Sequence, residues 1–136
     1  MKNSYNIDGK FCGYANVFNY KDYYNDIILP TAFSKCLSSV KNVPLLFEHN
    51  ENMQIGIITF MKEDEVGLYV EGIIDTKNKL YENVKNNQIL GLSIGYYATK
   101  FDFDKNNNRI LKEINLKEIS LVLNPANKLS YIKYCK

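Results

Sequence analysis

Histidine occurs only once in this sequence, at His49, and tryptophan not at all. A lone imidazole among scattered carboxylates gives none of the ligand spacing that zinc and related centres need, so neither a metal nor another cofactor is expected. Cysteine is almost as sparse. Cys12, Cys36 and Cys135 are odd in number, lie far apart and include no Cys-x-x-Cys pair. They offer no disulfide framework, and reduced thiols are the expectation. No apolar run approaches the ~20 residues of a membrane-spanning helix. The opening "MKNSYNIDGKF" has no apolar stretch of the kind that marks a signal peptide. The expectation is a cytoplasmic protein with no membrane partner. Excess charge of one sign is missing too. Lys and Arg number 17 against 15 Asp and Glu, a formal +2, which is too small a bias to favour nucleic acid or an anionic surface.

What is present suits one hydrophobic core. Hydrophobic residues make up 46% and charged residues 24% of 136, the balance of an ordinary globular chain. No segment reads as a linker or a repeat, so residues 1–136 are read as a single domain. Most of the chain reads as strand. "FCGYANVF" (Phe11–Phe18) alternates, and "VPLLFEH" (Val43–His49) is a short apolar run. "IGIITFMKE" (Ile55–Glu63) and "VGLYVEGIID" (Val66–Asp75) flank the charged turn "DEVG". "ILGLSIGYYATKFDF" (Ile89–Phe103) and "RILKEINLKEISLVL" (Arg109–Leu123) flank the polar loop "DKNNNR". Both pairs read as hairpins. Two segments have helical spacing. Pro30–Val40 puts Phe33, Cys36, Leu37 and Val40 on one stripe with Pro30 at the start. Thr76–Gln88 groups Leu80, Tyr81 and Val84 with Thr76 as its cap. The total is six or seven strands and two short helices, which predicts an α+β, mainly β fold: a barrel or folded-over sheet with helices outside it.

"LGLSIGY" contains Gly91-x-Ser93-x-Gly95, the pattern of a nucleophile elbow. The α/β-hydrolase version of that elbow fails here. It needs the order Ser, acid, His and a strand-to-helix turn. The only histidine precedes Ser93, and the segment continues as strand. A serine between two glycines can also be just a small residue where backbones approach closely. If Ser93 is a nucleophile, His49 is the only imidazole that can serve as its base.

Five blocks, in order, carry a resemblance. "GYANVFNYKDYYNDIILPTAFSKCL", "LLFEHNENMQIGII", "GLYVEGII", "LGLSIGY" and "LKEISLVLNPAN" together resemble the prohead serine proteases of tailed phages, capsid-maturation enzymes that look like relatives of the herpesvirus assemblins. The resemblance implies an antiparallel β-barrel ringed by short helices. It implies a serine endopeptidase that cleaves major capsid and scaffold proteins, and itself, inside an assembling prohead in the host cytoplasm, with homo-oligomer formation open. Carried over by position, Ser93 is the nucleophile, His49 the general base and Glu118, opening "EISLV", the third member. Two departures stand out. The first block usually reads Pro-Gly-Ala-Phe, whereas Pro30-Thr31-Ala32-Phe33 stands here, a change expected to touch a helix start. Many relatives also carry further sequence after "PAN", whereas this chain ends at Lys136.

The residues support these roles unevenly. Counting by two along "LKEISLV" puts Glu118 on one face with Leu116, Ser120 and Val122, and a carboxylate on a mostly apolar face is unusual unless paired. Glu48 is the competitor, but as His49's strand neighbour it is expected on the opposite face. The oxyanion needs backbone donors. Asn124-Pro125-Ala126-Asn127 turns after the Glu118 strand, and because proline has no N–H, Ala126 and Asn127 are the candidates. Cys36, on an apolar stripe, reads as core.

Overall fold

The computed structural model describes residues 9–133, so Cys135 lies outside the described residues. The described residues form eight strands, six of them along alternating or continuous apolar patterns: β1 (Lys10–Val17), β2 (Asp26–Ile28), β3 (Pro44–Phe47), β4 (Asn50–Glu63), β5 (Gly67–Ile74), β6 (Gly91–Phe103), β7 (Arg109–Val122) and β8 (Ile132–Lys133). β2 and β8, of three and two residues, are too short to show a period, and the sequence pattern misses both. Two short helices, α1 (Ser34–Leu37) and α2 (Leu80–Lys85), complete the fold. The mainly β class with two helices is as expected.

The strands form one curled sheet in the order β2-β7-β3-β4-β5-β1-β8, with β6 also paired to β7. It is mixed, which corrects the expectation of an antiparallel barrel. β7 runs parallel to β2 along Arg109–Leu111 and parallel to β3 along Ile119–Leu121. Parallel neighbours require long crossover connections, and the chain between β3 and β7 supplies one by way of β4, β5 and β6. The curl brings the ends together. β8 pairs with β1 through Gly13 and Ile132, and Gly91 bridges to Tyr131 at the head of β6.

The hairpin turns follow the chemistry of their aspartates. Asp64 Oδ1 accepts the N–H groups of Val66 and Gly67, and Asp104 Oδ1 accepts those of Asn106 and Asn108. Inside the curl Phe33, Leu45, Leu68, Leu92, Ile119 and Leu121 are all fully buried. Each such side chain contributes about 1.5–3 kcal/mol by leaving water.

Both helices are shorter than their apolar spacing predicts. α2 starts at Leu80 after Lys79 as its N-cap, with no side-chain cap from Thr76; Asn78 Oδ1 accepts the Leu80 N–H just ahead of it. α1 is capped from a distance: Glu63 accepts the Phe33 N–H and the Ser34 hydroxyl. Before it, Thr31 has φ 76°, a left-handed conformation that strains a β-branched residue and suits glycine. The Pro-Thr-Ala-Phe departure falls on that strained position. Cys36 is buried and free, as expected. Cys12 is disulfide-bonded, which corrects the expectation of a reduced thiol there.

Candidate active site

β3 and β4 are joined by the tightest kind of hairpin. Phe47 pairs with Asn50, and the two residues between them, Glu48 and His49, have φ 51° and 59°. Two positive φ values in a two-residue loop match the right-handed twist of the flanking strands. Glu and His replace the Asn and Gly that usually occupy such turns, at roughly 1–2 kcal/mol of strain each. The end of β7 holds the turn in place. Glu48 N–H donates to Leu121 O at 2.9 Å, and Glu48 Oε1 accepts Leu123 N–H at 2.6 Å. His49 N–H donates to Ser120 Oγ at 3.0 Å. Glu48 is therefore not a strand residue facing away from His49, as the pattern suggested; it anchors the turn that presents His49.

Ser93 and Glu118 come from the long β6–β7 hairpin. Ser93 stands opposite Ser120, and Gly95 opposite Glu118. His49 reaches over this pair of strands. Its Nε2 lies 3.1 Å from Ser93 Oγ and its Nδ1 lies 2.5 Å from Glu118 Oε1. A carboxylate only accepts, so the ring hydrogen sits on Nδ1 and Nε2 is left as an acceptor toward Ser93. The imidazole is 42% exposed and the Glu118 side chain 12%, so one edge of the site is wet and the acid is shielded. The Glu118 carboxylate on Nδ1 raises the His49 pKa above its ordinary 6.5; burial opposes this, and Glu48 adds a further upward push. The arrangement can pass the Ser93 proton to His49 while Glu118 stabilises the resulting cation.

Strict alternation had put Glu118 on the face of Leu116. A register shift between Gly95 and Tyr96 skips Lys117, and Leu116 packs in the core together with Ile119 and Leu121. Glu118 therefore shares its face with Ser120, away from the core, because a bulge changes which residues face inward. The glycines of the Gly-x-Ser-x-Gly pattern have steric reasons. A Cβ on Gly95 would lie 2.1 Å from Glu118 Oε1, and one on Gly91 would lie 2.6 Å from Val122 O and 2.9 Å from Pro125 Cδ. Ser120 was placed on the face of Glu118 by the alternation, but its hydrogen-bonding role was not read from the sequence. Fully buried, it accepts the His49 N–H and donates to Glu118 Oε2 at 2.7 Å. Its place two residues after Glu118 was the available signal.

Ala126 and Asn127 line a hollow together with Ser93 and His49. Their carbonyls accept the N–H groups of Tyr23 and Ser130. Their own N–H groups make no hydrogen bond among the described residues, which leaves them available to a ligand. No cluster of His, Cys, Asp and Glu able to hold a metal ion occurs among the described residues.

A family model described as Caudovirus prohead serine protease matches residues 1–136. The prohead protease of Enterobacteria phage HK97 is 36% identical over 140 residues, covering 95% of this chain; the chain spans 62% of that protein's length. Among solved structures, the bacteriophage T4 capsid assembly protease superposes with a TM-score of 0.68 at 13% identity, over 83% of this chain and 80% of the other. KSHV protease, in complex with a hexapeptide phosphonate inhibitor, gives a TM-score of 0.67 at 12% identity, over 93% of this chain and 64% of the other. At these identities the structural likenesses show a shared fold.

Proposed function

Given that the chain belongs to the Caudovirus prohead serine protease family, we propose that it is an endopeptidase of capsid maturation with Ser93 as nucleophile, His49 as general base and Glu118 as the third member. The observation that carries this reading is the unbroken relay from Ser93 Oγ to His49 Nε2 at 3.1 Å and from His49 Nδ1 to Glu118 Oε1 at 2.5 Å. Ser93 Oγ attacks the scissile carbonyl as its proton passes to Nε2. The tetrahedral oxyanion is held by the backbone N–H groups of Ala126 and Asn127. His49 then returns the proton to the leaving amine, and water, deprotonated by the same imidazole, releases the acyl group from Ser93.

Glu118 holds the imidazole in the productive tautomer, and Ser120 fixes both Glu118 and the His49 backbone. No metal or other cofactor has a part in this sequence. The substrates are the major capsid and scaffold proteins of an assembling prohead inside the host cell, and a second copy of the chain during self-cleavage. Association into a homo-oligomer is compatible with this role.

The decisive experiment pairs a serine-reactive phosphonate with the Ser93→Ala protein. Wild type is expected to be labelled at Ser93 and to cleave its capsid protein. Ser93→Ala is expected to stay folded, escape labelling and lose several orders of magnitude in rate. Undiminished cleavage by the purified variant would remove Ser93 from the mechanism, and a wild type that neither labels nor cleaves would leave a non-catalytic module on the same fold.

A further inference from the structure

Two hollows meet at Ser93. The larger, about 430 Å³, is bounded by residues that include Tyr23, Glu48, Val122, Pro125 and Lys128. The smaller, about 90 Å³, has Ala15, Asn16, Asp22, Leu92, Ile94 and Tyr96 in its wall. Tyr24, His49, Ser93 and Ala126 line both.

The polar side chains around the smaller hollow are mostly engaged. Tyr96 O–H donates to Asp26 Oδ2 at 2.8 Å. Asn127 donates to Val17 O at 3.0 Å and accepts Leu129 N–H at 3.1 Å. Asp22 Oδ1 accepts the N–H groups of Tyr24 and Asp26. Asn16 differs. It is only 4% exposed, and its Oδ1 has no hydrogen-bond partner among the described residues. A register shift in β1 between Tyr14 and Asn16 breaks the alternation, so Ala15 and Asn16 are both buried beside the same hollow. Native structures seldom leave a buried carboxamide unpaired without a use for it.

Resting on the assignment of Ser93 as nucleophile, we propose that the small hollow receives the substrate side chain on the acyl side of the scissile bond and that Asn16 selects there for a small hydroxyl side chain, serine or threonine. The side chain next to the attacked carbonyl begins one atom from the reacting carbon, so it must enter a hollow that touches Ser93. At roughly 30 Å³ per water-sized group, the volume holds about three heavy atoms, enough for threonine and too few for an aromatic or arginine side chain. A carboxamide both donates and accepts, which matches a hydroxyl and leaves the carboxamide without a partner beside an aliphatic side chain. The larger hollow takes the rest of the peptide.

Three tripeptide diphenyl phosphonates, ending in alanine, threonine or valine, test this through their second-order rates of inactivation. Threonine and valine share a shape and differ by hydroxyl against methyl. Wild type is expected to react with the threonine compound about tenfold or more faster than with the valine compound. In Asn16→Leu that ratio should fall to about one or invert. Its melting temperature should not drop, since an apolar group replaces an unpaired polar one. The alanine compound should label both proteins. Equal rates for threonine and valine in wild type, or a preference that survives in Asn16→Leu, overturn the proposal. Should Asn16→Leu fail to fold, Asn16→Ala must show the same loss of preference. If the alanine compound leaves wild-type Ser93 unlabelled, the nucleophile assignment itself fails; if it labels but the ratio is one, only the role of Asn16 fails.

Discussion

Glu118→Gln separates a charge from a shape. In the native site Ser120 Oγ accepts the His49 N–H, so its own hydrogen goes to Glu118 Oε2. In the variant the amide oxygen must stay with Ser120, and the amide nitrogen then faces His49 Nδ1. An N–H aimed at Nδ1 makes that nitrogen the acceptor and moves the ring hydrogen to Nε2, where it blocks proton transfer from Ser93. The lost charge-assisted bond is worth about 1.5–3 kcal/mol. Water at the 42% exposed imidazole keeps it from being worth more. At about 1.4 kcal/mol per decade, that term alone lowers kcat about 10- to 100-fold. The reversed tautomer adds to it, and in Ser–His–Asp triads the acid-to-amide change costs about 10⁴-fold. A fall between about 10² and 10⁴ in kcat is expected, with KM changing little.

The pH profile supplies an independent readout. His49 is raised above 6.5, chiefly by its hydrogen bond to Glu118, so the acidic limb of wild-type kcat/KM should lie above that value. Removing the carboxylate should move the limb to lower pH while depressing the plateau. The same linkage acts on stability. A raised folded pKa stabilises the fold below about 6.5 and ceases to do so as pH rises through the folded value. The variant should therefore lose melting temperature more in acid than in mild alkali. An unchanged kcat together with an unmoved limb would refute the role of Glu118 and leave a Ser93–His49 dyad.

Two further substitutions test the scaffold. Gly95→Ala would place a Cβ 2.1 Å from Glu118 Oε1; the carboxylate can swing aside, so melting should change little, while a displacement of about 1 Å at Glu118 should lower kcat on the order of 10²-fold. Equal activity with an unmoved pH limb would show that Gly95 does not set the carboxylate position. Thr31→Gly should relieve a residue held at φ 76°. The gain is about 1 kcal/mol after the added entropy of the unfolded chain is subtracted, read as a higher urea midpoint with unchanged kcat; a lower midpoint would mean that the Thr31 side chain stabilises the fold by more than its strain costs.

Much of this fold and site was legible in linear order. Period-two runs and one short apolar run located the six longer strands, and the turn residues Asp64 and Asp104 located their hairpins, because each signal is local. The five blocks singled out Ser93, His49 and Glu118, and the lone histidine left no second candidate for a base. What the alternation could not anticipate were its own interruptions. The bulge at Lys117 moved Glu118 off the face of Leu116, and the shift after Tyr14 buried both Ala15 and Asn16.

The resemblance carried by the five blocks proposed Ser93, His49 and Glu118 as nucleophile, base and acid, because motif order survives in the linear sequence. Whether the three could touch was a matter of pairing between strands distant in sequence. β3 lies parallel to the end of β7, and that contact folds Glu48 and His49 into a strained turn above Ser93. Gly95 leaves the space that Glu118 occupies, and Ser120, which the alternation put only on the same face as Glu118, ties the turn to the acid. Hydrogen bonds act over about 3 Å, and only the curled sheet brings residues this far apart in the chain within that distance.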